Sequence, residues 1–264
     1  MLNIIVLAKQ VFYTQDLRID RTNKKLVTEG VARVISESDK NAIEEAVRLK
    51  EKLGGKITVL TMGPAQAKEA LREAIAMGAD EGYMLTGPDF DNSDAHATAA
   101  ALAAGIRKIG QFDVILCGET SEDQYSFQVG PRTAEILSLP QITYAAKITI
   151  QDGKVVAERN LEDSYETVES KLPTFITVSR EINEPRLPTL MAIMAASKKP
   201  MTAWTVTDIG LNPSDLGREG SLTEALRSAV ATGERKKILV QGEPKEAAEK
   251  LASTLIGEGV VKVA

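Results

Sequence analysis

Leu2-Asn3-Ile4-Ile5-Val6-Leu7-Ala8 opens the chain with an aliphatic run broken only by Asn3. A run of this length without polar alternation reads as a parallel strand buried on both faces. The segments that follow repeat the theme. Residues 39–53 set Ala42, Ile43, Ala46, Val47 and Leu49 along roughly one helical face and stop at Gly54-Gly55. Residues 56–62 give a second apolar run. After Gly63-Pro64, a helix-period stretch runs through Leu71 and Ile75 to Met77. Residues 82–86 predict a third strand, 94–109 an alanine-rich helix and 113–117 a fourth strand; a polar loop then leads to a helix over about 131–137. Four strand–helix alternations predict an α/β fold with a doubly wound, mostly parallel sheet.

Two stretches depart from this rhythm. Residues 10–34 are too long for a simple βα loop and carry two short segments, 17–19 and 24–27, around Asp20-Arg21-Thr22-Asn23, which reads as a hairpin insertion. Residues 142–150, 155–159 and 165–171 predict an antiparallel extension with a turn at Gln151-Asp152-Gly153, and 174–178 one further strand. From Asn183 onward prolines interrupt the chain, and Trp204 lies in a segment with no evident pairing partner. This stretch is too apolar for a disordered tail and reads as an arm laid on a partner, with a helix returning over 244–255. The expected division is 1–200 for the α/β domain and 201–264 for the C-terminal arm and helix.

Composition narrows the chemistry. The 264 residues include 32 Lys and Arg against 37 Asp and Glu, a formal charge of −5, which argues against a nucleic-acid partner. One cysteine, Cys117, excludes an internal disulfide and any Cys-rich metal site, and one histidine, His96, excludes a two-histidine site. Both have plain readings, His96 as a surface or satisfied helix residue and Cys117 as a small buried one. No apolar run approaches a membrane span, and the N-terminus reads as a strand rather than a signal, so a cytoplasmic protein is expected.

In an open parallel sheet, ligands sit beyond the C-terminal strand ends, near a switch in strand order. The loop after the fourth strand, Gly118-Glu119-Thr120-Ser121-Glu122-Asp123-Gln124-Tyr125-Ser126-Phe127-Gln128-Val129-Gly130-Pro131, offers hydroxyls, amides and free backbone N–H groups at a helix start. Ser36-Glu37-Ser38-Asp39, opening the first helix, is a second candidate, with N-capping as its simpler reading. Met62-Gly63-Pro64 is the third. Neither GxGxxG nor GxxxxGK[ST] occurs, and no nucleophile–base–orienter set is evident. The residues alone describe a nucleotide-binding α/β protein with an extended arm.

The segment Ala157-Glu158-Arg159-Asn160-Leu161-Glu162-Asp163-Ser164-Tyr165-Glu166-Thr167-Val168-Glu169-Ser170-Lys171-Leu172-Pro173-Thr174-Phe175-Ile176-Thr177 resembles the signature of electron-transfer flavoprotein β subunits. Further matches are Lys9-Gln10-Val11, the stretch 43–51, Met62-Gly63-Pro64-Ala65, Ala76-Met77-Gly78-Ala79-Asp80, Gln128-Val129-Gly130-Pro131 and Asn183-Glu184-Pro185-Arg186, in the family's order. Ser164 and Phe175 depart from the signature at positions without chemistry. The resemblance implies an adenine-nucleotide-binding type of fold and an electron carrier that works as a heterodimer. In that family an α subunit binds most of the FAD, and the β subunit's own pocket holds AMP or, in electron-bifurcating members, a second FAD. The family's contacts fall here on Leu7, Ser36, Glu37, Ser38, Asp39, Met62 and the loop Glu119, Thr120, Ser121, Glu122, Asp123, Gln124, Tyr125, Ser126, Phe127, Gln128, Val129, Gly130.

Two departures bear on the ligand. Glu122-Asp123-Gln124-Tyr125-Ser126-Phe127 stands where bifurcating members read Asp-Gly-Asp-Thr-Ala, and Ser36-Glu37 replaces their Asn-Pro. The retained Gln128-Val129-Gly130-Pro131 inclines the choice towards a second FAD, while AMP stays open. Tyr125 and Phe127 either shield or stack on a ring, or pack under the loop. Residues 183–199 resemble the segment that docks on a dehydrogenase or quinone oxidoreductase, with Leu190 at the anchoring position, and 201–216 would wrap the α subunit. The competing readings are a nucleotide-sensing module related to stress proteins and a nucleotide hydrolase.

Overall fold

The computed structural model describes residues 1–20, 22–226 and 236–261. The chain divides into two compact units, Met1–Ser228 and Ala229–Ala264. The first contains β1 (Leu2–Leu7), a paired β2 (Gln10–Phe12) and β5 (Arg33–Ile35), and between them the hairpin β3 (Arg18–Asp20) and β4 (Lys25–Val27). The inserted hairpin therefore stands as expected, although Arg21 in its turn lies outside the described residues. Then follow α1 (Glu37–Leu53), β6 (Gly55–Met62), α2 (Lys68–Met77), β7 (Glu81–Leu85), α3 (Ala95–Ile109), β8 (Val114–Gly118) and α4 (Val129–Ile136). The antiparallel extension is β9 (Gln141–Gln151), β10 (Lys154–Asn160) and β11 (Tyr165–Lys171); β12 (Thr174–Val178), α5 (Leu190–Ala196) and β13 (Met201–Trp204) complete the elements of this unit. The second unit carries α6 (Pro244–Gly257).

One nine-stranded sheet runs in the order β11-β10-β9-β12-β8-β1-β6-β7-β13. β12, β8, β1, β6, β7 and β13 pair in parallel, and β9 is parallel to β12 but antiparallel to β10. Alternation along β1 explains why both faces are apolar. Ile4 and Val6 point into the layer under α1 and α2 with Ile57, Val59 and Leu116, whereas Ile5 and Leu7 point into the other with Leu60, Ile115 and Phe175. From β1 the chain winds outward through β6 and β7, then returns to β1's other side as β8. The strand order therefore reverses between β1 and β8, the place where an open parallel sheet leaves a crevice.

Three details differ from expectation. Helix α4 begins at Val129 rather than Pro131; the proline falls in its first turn, where its missing N–H removes no helical bond. Trp204 is paired: β13 joins the sheet beside β7, with Trp204 opposite Leu85 and its ring stacked on Tyr83 at 4.4 Å. The stretch 201–216 then buries Val206, Ile209 and Leu216 in this unit's own core, so it is part of the fold rather than a free strap. The compact unit accordingly extends past the boundary expected at residue 200. Of the arm expected over 201–264, residues 227–235 and 262–264 lie outside the described residues. No helix among those described is long and apolar enough to cross a membrane.

Candidate functional site

A cavity of about 290 Å³ opens at the switch point, beyond the C-terminal ends of β1, β6 and β8. It lies where the sheet's topology places ligands. Leu7, Asp39, Met62, Glu119, Thr120, Ser121, Gln124, Ser126, Phe127, Gln128, Val129 and Gly130 line it, all of them expected from the sequence. Two glycines explain how the walls approach so closely. A Cβ on Gly130 would sit 2.8 Å from Thr177 Cγ2 and 3.0 Å from Cys117 Sγ, and one on Gly118 would sit 2.7 Å from Ser38 Cβ. Only the absent side chain lets α4 and the first turn of α1 close on the strand ends.

The remaining expected residues stand behind this wall. Ser38 Oγ donates to the Thr120 carbonyl at 2.5 Å, and the Glu37 amide donates to Glu122 Oε1 at 3.1 Å, so the start of α1 props the loop after β8. Ser36 is fully buried, and its hydroxyl has no hydrogen-bond partner among the described residues. Asp123 is ion-paired with Lys9 at 2.6 Å. Tyr125 turns to solvent, 57% exposed, while Phe127 faces the cavity, its ring 6.1 Å from that of Tyr144. Both adopt left-handed backbone, φ 48° and 55°, a conformation unusual for aromatic residues.

Asp39 is the structural centre of the site. Its Oδ2 accepts the Lys9 amide and its Oδ1 the Gly118 amide, each at 2.8 Å, so one carboxyl ties the ends of β1 and β8 across the switch point. Burial pushes this carboxyl up to about 7, against the pull of the two amides. Burial also raises Glu119, with Glu181 adding to it, and raises Glu122. Asp123 goes the other way: burial works against its charge, but the Lys9 ammonium and Ser121 hydroxyl hold it below the usual carboxylate range. The described residues contain no group of three His, Cys, Asp or Glu able to hold a metal.

Sequence reasoning missed one wall. Phe90, Asp91, Asn92, Ser93, Asp94 and Ala95, between β7 and α3, line the cavity with Thr98 and Leu102; Ala8, Lys9 and Gln10 also line it, beside Gly63 and Pro64 of the third loop singled out in the sequence. The signal was present: the 90–95 loop leaves the same C-terminal sheet edge, and Asp94 sits where a cap belongs. Its Oδ1 accepts the amides of His96 and Ala97 at 2.8 and 3.0 Å.

A second feature shares α1. Asn41 Nδ2 donates to the Asn183 carbonyl at 2.7 Å, and Asn183 Nδ2 returns to the Asn41 carbonyl at 3.0 Å. Arg186 donates to Glu44 Oε2 through Nε at 2.8 Å and to Glu51 Oε1 through Nη1 at 2.7 Å. Beyond this clamp, Leu190 is 74% and Met191 81% exposed, and Leu187, Ile193 and Met194 are exposed beside them. These five apolar side chains stand exposed together on one short helix and the chain leading into it.

The family model for the electron transfer flavoprotein domain matches residues 24–209. An electron transfer flavoprotein subunit beta of Thermoanaerobacterium thermosaccharolyticum is 44% identical over 98% of this chain and all of its own. The caffeyl-CoA reductase-Etf complex subunit CarD of Acetobacterium woodii is 42% identical over 86% of this chain and 87% of its own. An electron transfer flavoprotein subunit beta of Bacillus subtilis is 38% identical over 98% of this chain and all of its own. The fold, the cavity at its switch point and these matches lead to one conclusion: the chain belongs to the family of electron-transfer flavoprotein β subunits.

Proposed function

We propose that this chain is the β half of a heterodimeric electron carrier, with FAD held chiefly by an α subunit and an adenine mononucleotide in the cavity beyond β1 and β8. The flavin supplies the redox chemistry when bound; this chain supplies a rigid frame, a nucleotide seat and a docking face. The observation that carries the reading is the pairing of two features on one α/β unit: a cavity at the switch point and an exposed apolar helix, α5, preceded by the Arg186 clamp. Of the two ligands left open by the sequence we take AMP, because Phe127 lines the cavity where Glu122-Asp123-Gln124-Tyr125-Ser126-Phe127 departs from the sequence of bifurcating members. On this reading the carrier takes electrons from a dehydrogenase docked at Leu190 and passes them on singly rather than by bifurcation. Unit 229–264 is assigned to contact with the α subunit.

Co-expression with the α subunit tests the proposal. A yellow complex carrying one FAD and one AMP per heterodimer is expected. Two FAD per heterodimer would overturn the mononucleotide assignment and restore bifurcation, and a colourless chain indifferent to the α subunit would overturn the carrier reading and restore the nucleotide sensor.

A further inference from the structure

The charges around the cavity are unevenly spent. Among the described residues lining it Lys9 is the sole cation, facing the carboxyls of Asp39, Asp91, Asp94 and Glu119. Two of those are engaged with the fold. Asp39 holds the two strand-end amides, and Asp94 caps α3 with one oxygen while its other accepts the Thr223 amide at 2.9 Å. Lys9 itself follows β1, and its Nζ crosses to Asp123 Oδ2 at 2.6 Å; the other oxygen of Asp123 accepts the Ser121 hydroxyl at 2.6 Å. Asp123 is not part of the cavity wall, so this pair stands where the wall meets the loop after β8. The two side chains are 41% and 38% exposed, and an ion pair this open to water contributes little to stability. Its ammonium is therefore available to any stronger anion that enters the cavity.

We propose that Lys9 reads phosphate in this cavity: its ammonium leaves Asp123 for the phosphate of a nucleoside monophosphate, so that the Lys9–Asp123 pair sets how much more tightly the nucleotide binds than the bare nucleoside. The inference rests on the adenine-nucleotide reading of the cavity. It gives the two partners opposite roles. Lys9 supplies the only positive side chain among the described residues of the wall, and Asp123 competes with the ligand for it. Removing the lysine penalises phosphate; removing the aspartate favours it. The sugar and base, which meet the apolar and backbone parts of the wall, register neither change.

The test is calorimetric titration of adenosine and AMP into the full chain co-purified with its α subunit and freed of bound nucleotide. Lys9→Gln lowers AMP affinity roughly tenfold, the worth of one charge-assisted hydrogen bond. It alters adenosine affinity by less than about twofold, as expected of a rim substitution. Lys9→Arg restores the preference for AMP. Asp123→Asn raises AMP affinity by up to about fivefold, the strength of an exposed pair, again without moving adenosine. Equal losses for both ligands in Lys9→Gln, or no loss for either, overturn the proposal while leaving the site intact. A wild-type complex that binds neither adenosine nor AMP overturns the nucleotide reading itself, and the role of Lys9 with it.

Discussion

Replacing Arg186 by alanine separates the anchoring of the docking segment from the docking itself. The guanidinium meets Glu44 through Nε at 2.8 Å and Nη2 at 3.1 Å, and its own backbone amide donates to the same carboxylate at 3.1 Å. The Glu44 side chain is only 4% exposed, and without Arg186 its charge keeps one cation, Arg48 at 3.0 Å. Stranding a fully buried charge costs about 3–5 kcal/mol. Arg186 is 36% exposed and Arg48 stays, so about 2 kcal/mol is expected. For a unit of this size that lowers the thermal midpoint by about 4–8 °C. The same change releases the Arg186 end of the segment from α1, while α5 keeps its buried Ala196, so on the proposed docking reading the KM for a partner dehydrogenase rises while flavin content holds. Leu190→Ala is the control: an exposed leucine alters stability by less than about 0.5 kcal/mol, yet weakens docking by up to roughly 2 kcal/mol of lost burial. Thermal unfolding and steady-state reduction by the partner read both effects. An Arg186→Ala protein with unchanged midpoint and unchanged KM would refute the reasoning.

Asp39 gives a pH signature. Its folded value of about 7 lies above the unfolded carboxylate value of roughly 4, so folding takes up a proton between them, and stability falls as pH rises from about 4 to 7 before levelling off. The contribution is on the order of 4 kcal/mol, and denaturant titrations of Asp39→Asn should lack that slope; an identical slope would remove Asp39 as its source. Gly130→Ala places a methyl 2.8 Å from Thr177 Cγ2 and should destabilise by about 1–3 kcal/mol, read as a lower midpoint; a neutral result would mean α4 moves freely off β12. Trp204, the one tryptophan, stacks on Tyr83 within this unit, so its emission reports folding of β13 without the α subunit. Emission of a fully hydrated indole in the isolated chain would contradict the placement of 201–216.

The parallel core was legible because its signal is local and redundant. Each strand is an apolar run, each helix an apolar face, and the alternation of the two fixes the class before any long-range pairing is known. The hairpin at Asp152-Gly153 was equally plain, since a two-residue turn at positive φ pairs its own flanks. β13 was not: Met201-Thr202-Ala203-Trp204 is too short to show periodicity, and its pairing with β7 spans more than a hundred residues. In the site, the loop after β8 was found because it concentrates polar groups at a helix start. The 90–95 wall was missed because no polar cluster or helix-start signal drew attention to residues 87–93, and only the folded sheet shows that they leave the edge on which the cavity opens. Asp39 looked like a cap. Its bond to Gly118 joins residues 79 apart, which no local pattern encodes.

Helix α1 serves both features, and its geometry decides how they relate. Ser38 and Asp39 in its first turn hold the cavity's strand ends and loop, and Asn41, Glu44 and Glu51 hold the docking segment. At 1.5 Å rise per residue, Asp39 and Glu44 are about 7.5 Å apart along one rod. A rod with one arrangement fixes distance but transmits no preference; energetic coupling would need a second arrangement that the two sites favour unequally. Ser38 and Asp39 bond on the cavity side and Asn41, Glu44 and Glu51 on the docking side; Glu37, its amide on Glu122 and its carboxylate on Arg180, meets both, and neither Lys9 nor Arg186 touches it. Lys9→Gln should therefore lower AMP affinity and leave the partner's KM at its wild-type value, whereas Arg186→Ala should raise that KM and leave AMP affinity alone. A Lys9→Gln complex whose partner KM rose as far as that of Arg186→Ala would show that α1 moves as a lever rather than standing as a frame.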